Sequence, residues 1–111
     1  MYYVGLLAGR NDMDLLRASG VGRDVNRHRY TADEIRRELD RPVVRDQLTA
    51  LRLRRTHPAF RGAFTAAIDG TRATLAWHDG DDSAELAFDV RDASFAVTAS
   101  AGAAVGTVLT S

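Results

Sequence analysis

The sequence predicts an α+β chain in two parts, with a strand, a long polar loop and helices first, and antiparallel β-structure after them. Three observations carry that prediction. Residues 2–8, YYVGLLA, form an unbroken apolar run, and a run without polar alternation suits a strand covered on both faces, as in a parallel sheet flanked by helices. Between residues 31 and 57, apolar residues recur at helical spacing, bounded by start and stop signals. From Phe60 onward the period changes to two and Asp-Gly dipeptides punctuate the runs. The expected boundary between the parts falls at residues 58 and 59.

A parallel interior strand needs neighbours on both edges, and nothing else in residues 1–60 reads as a strand to pair with residues 2–8. The expectation is that this segment belongs inside a larger fold. Without that fold it would leave apolar surface and unpaired strand edges that favour self-association. Residues 9–30 follow as a polar connection with one short helical stretch, where Met13, Leu16 and Arg17 fall at i, i+3 and i+4 before Gly20 and Gly22 end it. A connection of this length inside a compact domain points to a functional or a disordered loop. Thr31 and Glu34 then form a T-x-x-E capping box, and Ile35 and Leu39 supply the stripe of the helix it opens. Asp40 is placed to cap a second helix, with Pro42 in the first turn where no amide bond is lost. Val44, Leu48 and Leu51 share one face of it. Arg52, Arg54 and Arg55 sit at the negative end of its dipole, and Pro58 stops it. In the second part, residues 65–68 and 72–77 flank Asp69-Gly70, and a turn at Asp79-Gly80 leads to residues 84–90. Leu86, Phe88 and Val90 there face away from Glu85, Ala87 and Asp89. Phe95, Val97 and Ala99 continue the alternation, and residues 105–109 add a last strand to a small antiparallel sheet or sandwich.

Composition removes several function classes. Fifteen basic and fifteen acidic residues cancel across the 111-residue chain, so no net field draws in nucleic acid or an anionic membrane. Every basic residue is arginine, which codon bias in a GC-rich genome accounts for. The chain has no cysteine, which excludes disulfides and thiolate metal sites and fits a cytoplasmic setting. His28, His57 and His78 stand too far apart for ligand spacing, so no metal is expected, and nothing calls for a cofactor. The apolar start meets Arg10 too early to be a secretory or membrane segment. The charge-free residues 93–111 carry six Ser or Thr and read as strand and turn.

The stretch GVGRDVNRHRY, residues 20–30, concentrates Arg23, Arg27 and Arg29 with Asp24, Asn26 and His28. A guanidinium fork donates two parallel hydrogen bonds to a carboxylate, a phosphate or neighbouring sugar hydroxyls. If the apolar strand belongs to a barrel of alternating strands and helices, the loop after it lies on the ligand-binding face. The competing reading is a solvated loop in which Asp24 pairs with Arg27. Asp12 and Asp14 point apart on a helix, and Asp79, Asp81 and Asp82 crowd a hairpin turn. Neither set offers the two opposed carboxylates, about 5–5.5 Å apart, of retaining glycosidic chemistry, so both read as cap and turn residues. Ser19 and Ser83 have no neighbouring histidine for a hydrolase triad. Gly5, Gly9, Gly20 and Gly22 do not follow a phosphate-binding spacing. The stretch LRLRRTHPAF reads as a solvated helix end rather than a nucleic-acid surface, since its arginines alternate with leucines and lack interleaved aromatics. Trp77 reads as hairpin core rather than a sugar-stacking platform.

The segments YYVGLLAGRNDMDLL, GVGRDVNRH and RPVVRDQLTALRLRRTHPAF resemble the C-terminal part of the sucrose phosphorylase-like subfamily of glycoside hydrolase family 13. The resemblance covers residues 2–64, and beyond them it is one of pattern only. It implies that residues 1–58 are the C-terminal end of a (β/α)8 barrel (strand 8, substrate loop and closing helices) and residues 59–111 a C-terminal antiparallel β domain. It implies a parent enzyme that converts sucrose and phosphate to glucose 1-phosphate and fructose by retaining double displacement. The aspartate nucleophile, the glutamate acid and the stabilising aspartate of that reaction follow earlier barrel strands, so no catalytic residue is expected here. Arg23 carries over as a substrate-binding residue that hydrogen-bonds a glucose hydroxyl away from the scissile bond. Arg29 and Arg55 depart from the aromatic and the asparagine frequent in the family. The partners implied are the glucoside, phosphate and the rest of the barrel, and the chain by itself is expected to be inactive. Two other readings stand beside this one: a phosphorylase of a related glucoside such as glucosylglycerate, and a non-catalytic carbohydrate-binding or interaction module built on the β half.

Overall fold

The computed structural model describes residues 3–102 and 104–111. The chain divides into two compact units, Met1–Thr49 and Ala50–Ser111.

The first unit contains α1 (Tyr3–Leu6), α2 (Met13–Ser19), a 3-10 turn (Gly22–Asn26), α3 (Ala32–Leu39) and the beginning of α4 (Pro42–Thr56). The strand expected over residues 2–8 is therefore a helical turn where it is described, and Tyr2 lies outside the described residues. The physical reason is backbone satisfaction, because a strand must find its partners on a neighbour whereas a helix closes them on itself. The amide of Leu7 bonds the carbonyl of Tyr3 at 2.8 Å. The turn ends in a Schellman arrangement, in which Gly9 N–H donates to the Val4 carbonyl at 2.8 Å and Ala8 N–H to that of Gly5 at 3.3 Å. Ala8 takes the left-handed conformation this ending needs, at φ 47°. Val4 and Leu7 are buried and Tyr3 stays exposed, so the expected open strand edge for self-association is absent from the described residues. Arg41 donates to the carbonyls of Leu7 and Ala8, acceptors a short helix cannot satisfy internally, and Gln47 adds a second donor to that of Gly5.

The Thr31–Glu34 signal behaves as written. Thr31 accepts from the Glu34 amide while the Glu34 carboxylate accepts from the Thr31 amide at 2.6 Å, closing the box at the start of α3. Asp40 does not cap the next helix. It closes α3 instead, its own amide reaching the Arg37 and Glu38 carbonyls.

The second unit holds the end of α4, a 3-10 turn (Pro58–Arg61) and five strands: β1 (Ala63–Asp69), β2 (Arg72–Asp79), β3 (Asp82–Asp89), β4 (Phe95–Ala101) and β5 (Ala104–Thr110). They form one antiparallel meander in chain order. Register places Phe64, Trp77, Ala84 and Ala99 in one row across the sheet and Ala66, Leu75, Leu86 and Val97 in the next. Alternation puts these rows on one apolar face. That face is left bare toward the outer end of β1, where Ile68 is 82% exposed. The hairpin turns sit one residue later than the Asp-Gly pattern implies. Asp69 pairs with Arg72 and Asp79 with Asp82, so Gly70 and Gly80 are the first loop residues, each at φ 59°, the position where a two-residue turn of the Gly-X kind needs a positive angle.

Gly62 enters β1 against the backbone of β2, where a Cβ would lie 1.8 Å from the His78 carbonyl oxygen. Gly62→Ala is expected to lower stability by about 1–3 kcal/mol through overpacking against main chain. Ala8→Gly, which relieves a left-handed non-glycine residue, is expected to raise it by about 1 kcal/mol. Urea unfolding of the two variants beside the parent chain measures both.

Candidate functional site

Arg23 lies in the 3-10 turn Gly22–Asn26 with its side chain exposed, as are those of Arg27 and Arg29. None of the three enters an ion pair among the described residues. The Asp24–Arg27 side-chain pair of the competing reading is not formed, and only their main chains meet, Arg27 N–H bonding the Asp24 carbonyl at 3.0 Å. The turn is held from outside by a long-range main-chain bond, Asp12 N–H to the Val25 carbonyl at 2.6 Å.

Beside this turn the fold gathers residues that the sequence separates. Asp12 caps α2 by accepting from the Leu15 amide at 2.8 Å, and its other oxygen lies 2.9 Å from Nδ1 of His28. Nε2 of the same ring is 3.4 Å from Glu34, whose second oxygen serves the capping box. The Tyr30 ring meets His28 edge-on at 4.6 Å. The Tyr30 hydroxyl occupies the space that a Cβ on Gly9 would fill, which explains a glycine at the end of the α1 turn. Asp12, His28, Tyr30, Arg10, Glu38 and Arg41 line a polar cavity of about 650 Å³, and Arg41 is engaged by Glu38 within it.

The electrostatics follow from these contacts. The Leu15 amide, then the His28 ring, hold the Asp12 carboxyl below the ordinary carboxylate value. The Thr31 amide and hydroxyl do the same for Glu34. His28 is held above the ordinary imidazole value, chiefly by its bond to Asp12 and against the effect of burial. Such a cluster orders a loop, because both carboxylates are spent on caps and on the ring. Beside it Arg23, Arg27 and Arg29 stand outside the ion pairs formed among the described residues.

Sequence reasoning identified Asp12 as a cap and set His28 aside as isolated. The two stand sixteen residues apart, and no local spacing reveals such a pair. The tension between a polar 22-residue connection, residues 9–30, and a need for order was the one available signal. Trp77, read as hairpin core, is half-buried, its ring 4.9 Å from that of Phe60 and 5.0 Å from that of Phe64, with the Arg54 guanidinium 4.9 Å over the Phe60 ring. Among the described residues no group of three or more His, Asp or Glu is arranged to hold a metal ion. No helix among them is long and apolar enough to cross a membrane.

Helices that carry an arginine-bearing turn, followed by a five-stranded antiparallel sheet, match the C-terminal part of a glycoside hydrolase family 13 enzyme. The chain is 45% identical over 101 residues to the sucrose phosphorylase of Agrobacterium vitis, a match covering 90% of this chain and 21% of that protein. It is 39% identical over 99 residues to the glucosylglycerol phosphorylase of Marinobacter adhaerens, covering 88% of this chain and 21% of that protein. The crystal structure of sucrose 6F-phosphate phosphorylase from Thermoanaerobacter thermosaccharolyticum superimposes with a TM-score of 0.82 at 32% identity, over 87% of this chain and 20% of that one. No protein-family model matches the chain. This protein is thus a relative of the sucrose phosphorylases, and it spans about a fifth of the length of the relatives it matches.

Because the Asp12 and Glu34 carboxyls are held low, the stability they contribute is present above the ordinary carboxylate range and is lost as pH falls through their lowered values. Asp12→Asn keeps a capping side chain but cannot ionise. Its urea midpoint is expected to lie below that of the parent at pH 7 and to approach it only as pH falls below the ordinary carboxylate value of about 3.9.

Proposed function

We propose that this chain is the C-terminal portion of a phosphorylase that moves a glucosyl unit from a glucoside to phosphate, with sucrose as donor and glucose 1-phosphate and fructose as products. The observation that carries the reading is the 45% identity to a sucrose phosphorylase across 90% of the chain. On this reading residues 1–58 finish the catalytic barrel and residues 59–111 form the C-terminal β domain. The reaction is a double displacement in which a carboxylate replaces the leaving group at the glucosyl carbon and phosphate then replaces the carboxylate, so configuration is retained. Those carboxylates come from the remainder of the parent, the partner this chain needs for activity. A cytoplasmic setting belongs to the same reading and rests on the lack of cysteine.

Arg23 is assigned to the glucose subsite. Its exposed, unpaired fork on an anchored turn supports that role, since oriented donors fix the sugar for attack without exchanging protons or bonds with it. Specificity for the other half of the substrate is a separate matter. The similarity to a glucosylglycerol phosphorylase at 39% identity favours a second reading, in which the parent phosphorolyses a related glucoside.

The test uses the 111-residue chain and a chimaera in which residues 2–64 replace the matching segment of the Agrobacterium vitis enzyme. The isolated chain, given sucrose and phosphate, is expected to form no glucose 1-phosphate, while the chimaera forms it. Arg23→Ala in the chimaera is expected to lower kcat/KM by about 10- to 150-fold, the loss of one or two hydrogen bonds from a charged donor. Turnover by the isolated chain, or an unchanged kcat/KM in the variant, contradicts the respective claim. Calorimetry of the isolated chain with glucose polymers decides the rival module: heat of binding favours it, and none is expected.

A further inference from the structure

We propose that His28 is a positioning residue: a cationic clasp that joins the first turns of α2 and α3 and so fixes the turn bearing Arg23. The significance for sugar binding rests on the reading of Arg23 above, whereas the clasp itself does not.

The geometry makes a demand on the ring. Nδ1 faces Asp12 at 2.9 Å and Nε2 faces Glu34 at 3.4 Å. An ionised carboxylate only accepts, and a neutral imidazole has one donor and one acceptor nitrogen. A neutral ring therefore serves one carboxylate and turns a lone pair toward the other. Only the imidazolium donates to both. The carboxylates cannot easily turn away, since each divides its oxygens between a helix cap and the ring. Asp12 holds the Leu15 amide with Oδ1, and Glu34 holds the Thr31 amide and hydroxyl with Oε2. Withdrawing either from His28 loosens a helix start as well.

What the clasp encloses is the loop of interest. Asp12 stands before it and Glu34 after it, and the main chain of Asp12 also holds the Val25 carbonyl, two residues from Arg23. The charged groups around the ring are few. Asp12 comes from the cap of α2 and Glu34 from α3, while Asp14, Glu38, Arg10 and Arg41 line the same cavity. Arg41 is paired with Glu38 and bonded to two carbonyls, so the direct partners of the ring are the two carboxylates. His28 is held above the ordinary imidazole value, chiefly by Asp12. The stability it contributes is fully present below that ordinary value and is lost as pH rises through the raised one.

The experiment is a titration of the ¹⁵N-labelled 111-residue chain by nuclear magnetic resonance, with amide exchange followed in parallel. The His28 ring is expected to titrate at a higher pH in the folded chain than in the same chain unfolded in urea. Asp12→Asn and Glu34→Gln should each move that midpoint down. His28→Gln should speed exchange of the Asp12 amide at least tenfold at pH 6 and remove the excess rise in exchange that the parent shows above its midpoint. A folded midpoint at or below the unfolded one, or an Asp12 amide unchanged in His28→Gln, overturns the clasp. Should His28→Gln not fold, the Asp12→Asn and Glu34→Gln midpoints decide alone, since both variants keep the ring. Arg23→Ala should leave the titration and exchange as in the parent. A raised midpoint beside an Arg23→Ala chimaera of unchanged kcat/KM leaves the clasp standing and removes the sugar reading.

Discussion

Two carboxylates that each spend one oxygen on a helix cap and the other on the same imidazole set the form of the first unit. Without Asp12 and Glu34 converging on His28, residues 20–30 would be a polar segment with little to bury. In the 3-10 turn itself no side chain is buried. An exposed turn of this kind acquires order from polar tethers, because hydrophobic burial is not available to supply it. The tethers are charge-assisted and converge from both ends of the loop, which lets the arginines remain uncommitted. A loop ordered by its own arginines would have none left for a ligand.

The second unit solves a different problem by local means. Every strand pairs with its chain neighbour, so each pairing closes a short loop, and short loops cost the least entropy to close. The glycines at the first loop positions set the turns, and the alternation of β2 to β4 then assigns Leu75, Trp77, Leu86 and Val97 to one face. Aromatic rings gather where that face meets Phe60. Asp89, at the end of β3, is buried but not orphaned, because the Arg91 amide and the Arg72 side chain donate to it. The Arg91 amide foremost, then the Thr71 side chain and Arg72, hold it below the ordinary carboxylate value.

Features that depend on a few adjacent residues were legible in the sequence. The Thr31–Glu34 box, the stop before Pro58 and the five alternating runs each express a short-range rule, and the structure contains each of them. The turn register was off by one residue, because Asp-Gly signals a tight turn without saying whether glycine stands first or second in it. The apolar run at residues 2–8 misled for a deeper reason. Apolarity reports burial, and Val4 and Leu7 are indeed buried, but burial does not choose between strand and helix for so short a segment. The choice falls to the backbone, and here an intrasegment Schellman ending satisfies it. The His28 cluster was illegible for the opposite reason. Its partners are distant in sequence, and each already had a sufficient local explanation as a cap.

Two places in this chain could be asked to meet a sugar, and their physics differ. A stacking platform needs an aromatic face open to the ring it receives. Trp77 lies about 5 Å from both Phe60 and Phe64 in tilted arrangements, and Arg54 already lies over Phe60. Trp77 is thus half-buried among ring neighbours, with Phe60 half-buried beside it and Phe64 exposed, so its face is shared with other rings rather than held open. Recognition by hydrogen bonding needs the reverse, donors that are exposed and unpaired but carried on a backbone that does not move. Arg23 meets the first condition by lying outside every ion pair among the described residues. It meets the second through the Asp12–Val25 bond and the ring that holds Asp12. The cost of ordering a long flexible side chain falls when its anchor is fixed beforehand, which is why the proposed contact with sugar hydroxyls is assigned to the arginine of the polar turn rather than to the tryptophan of the sheet.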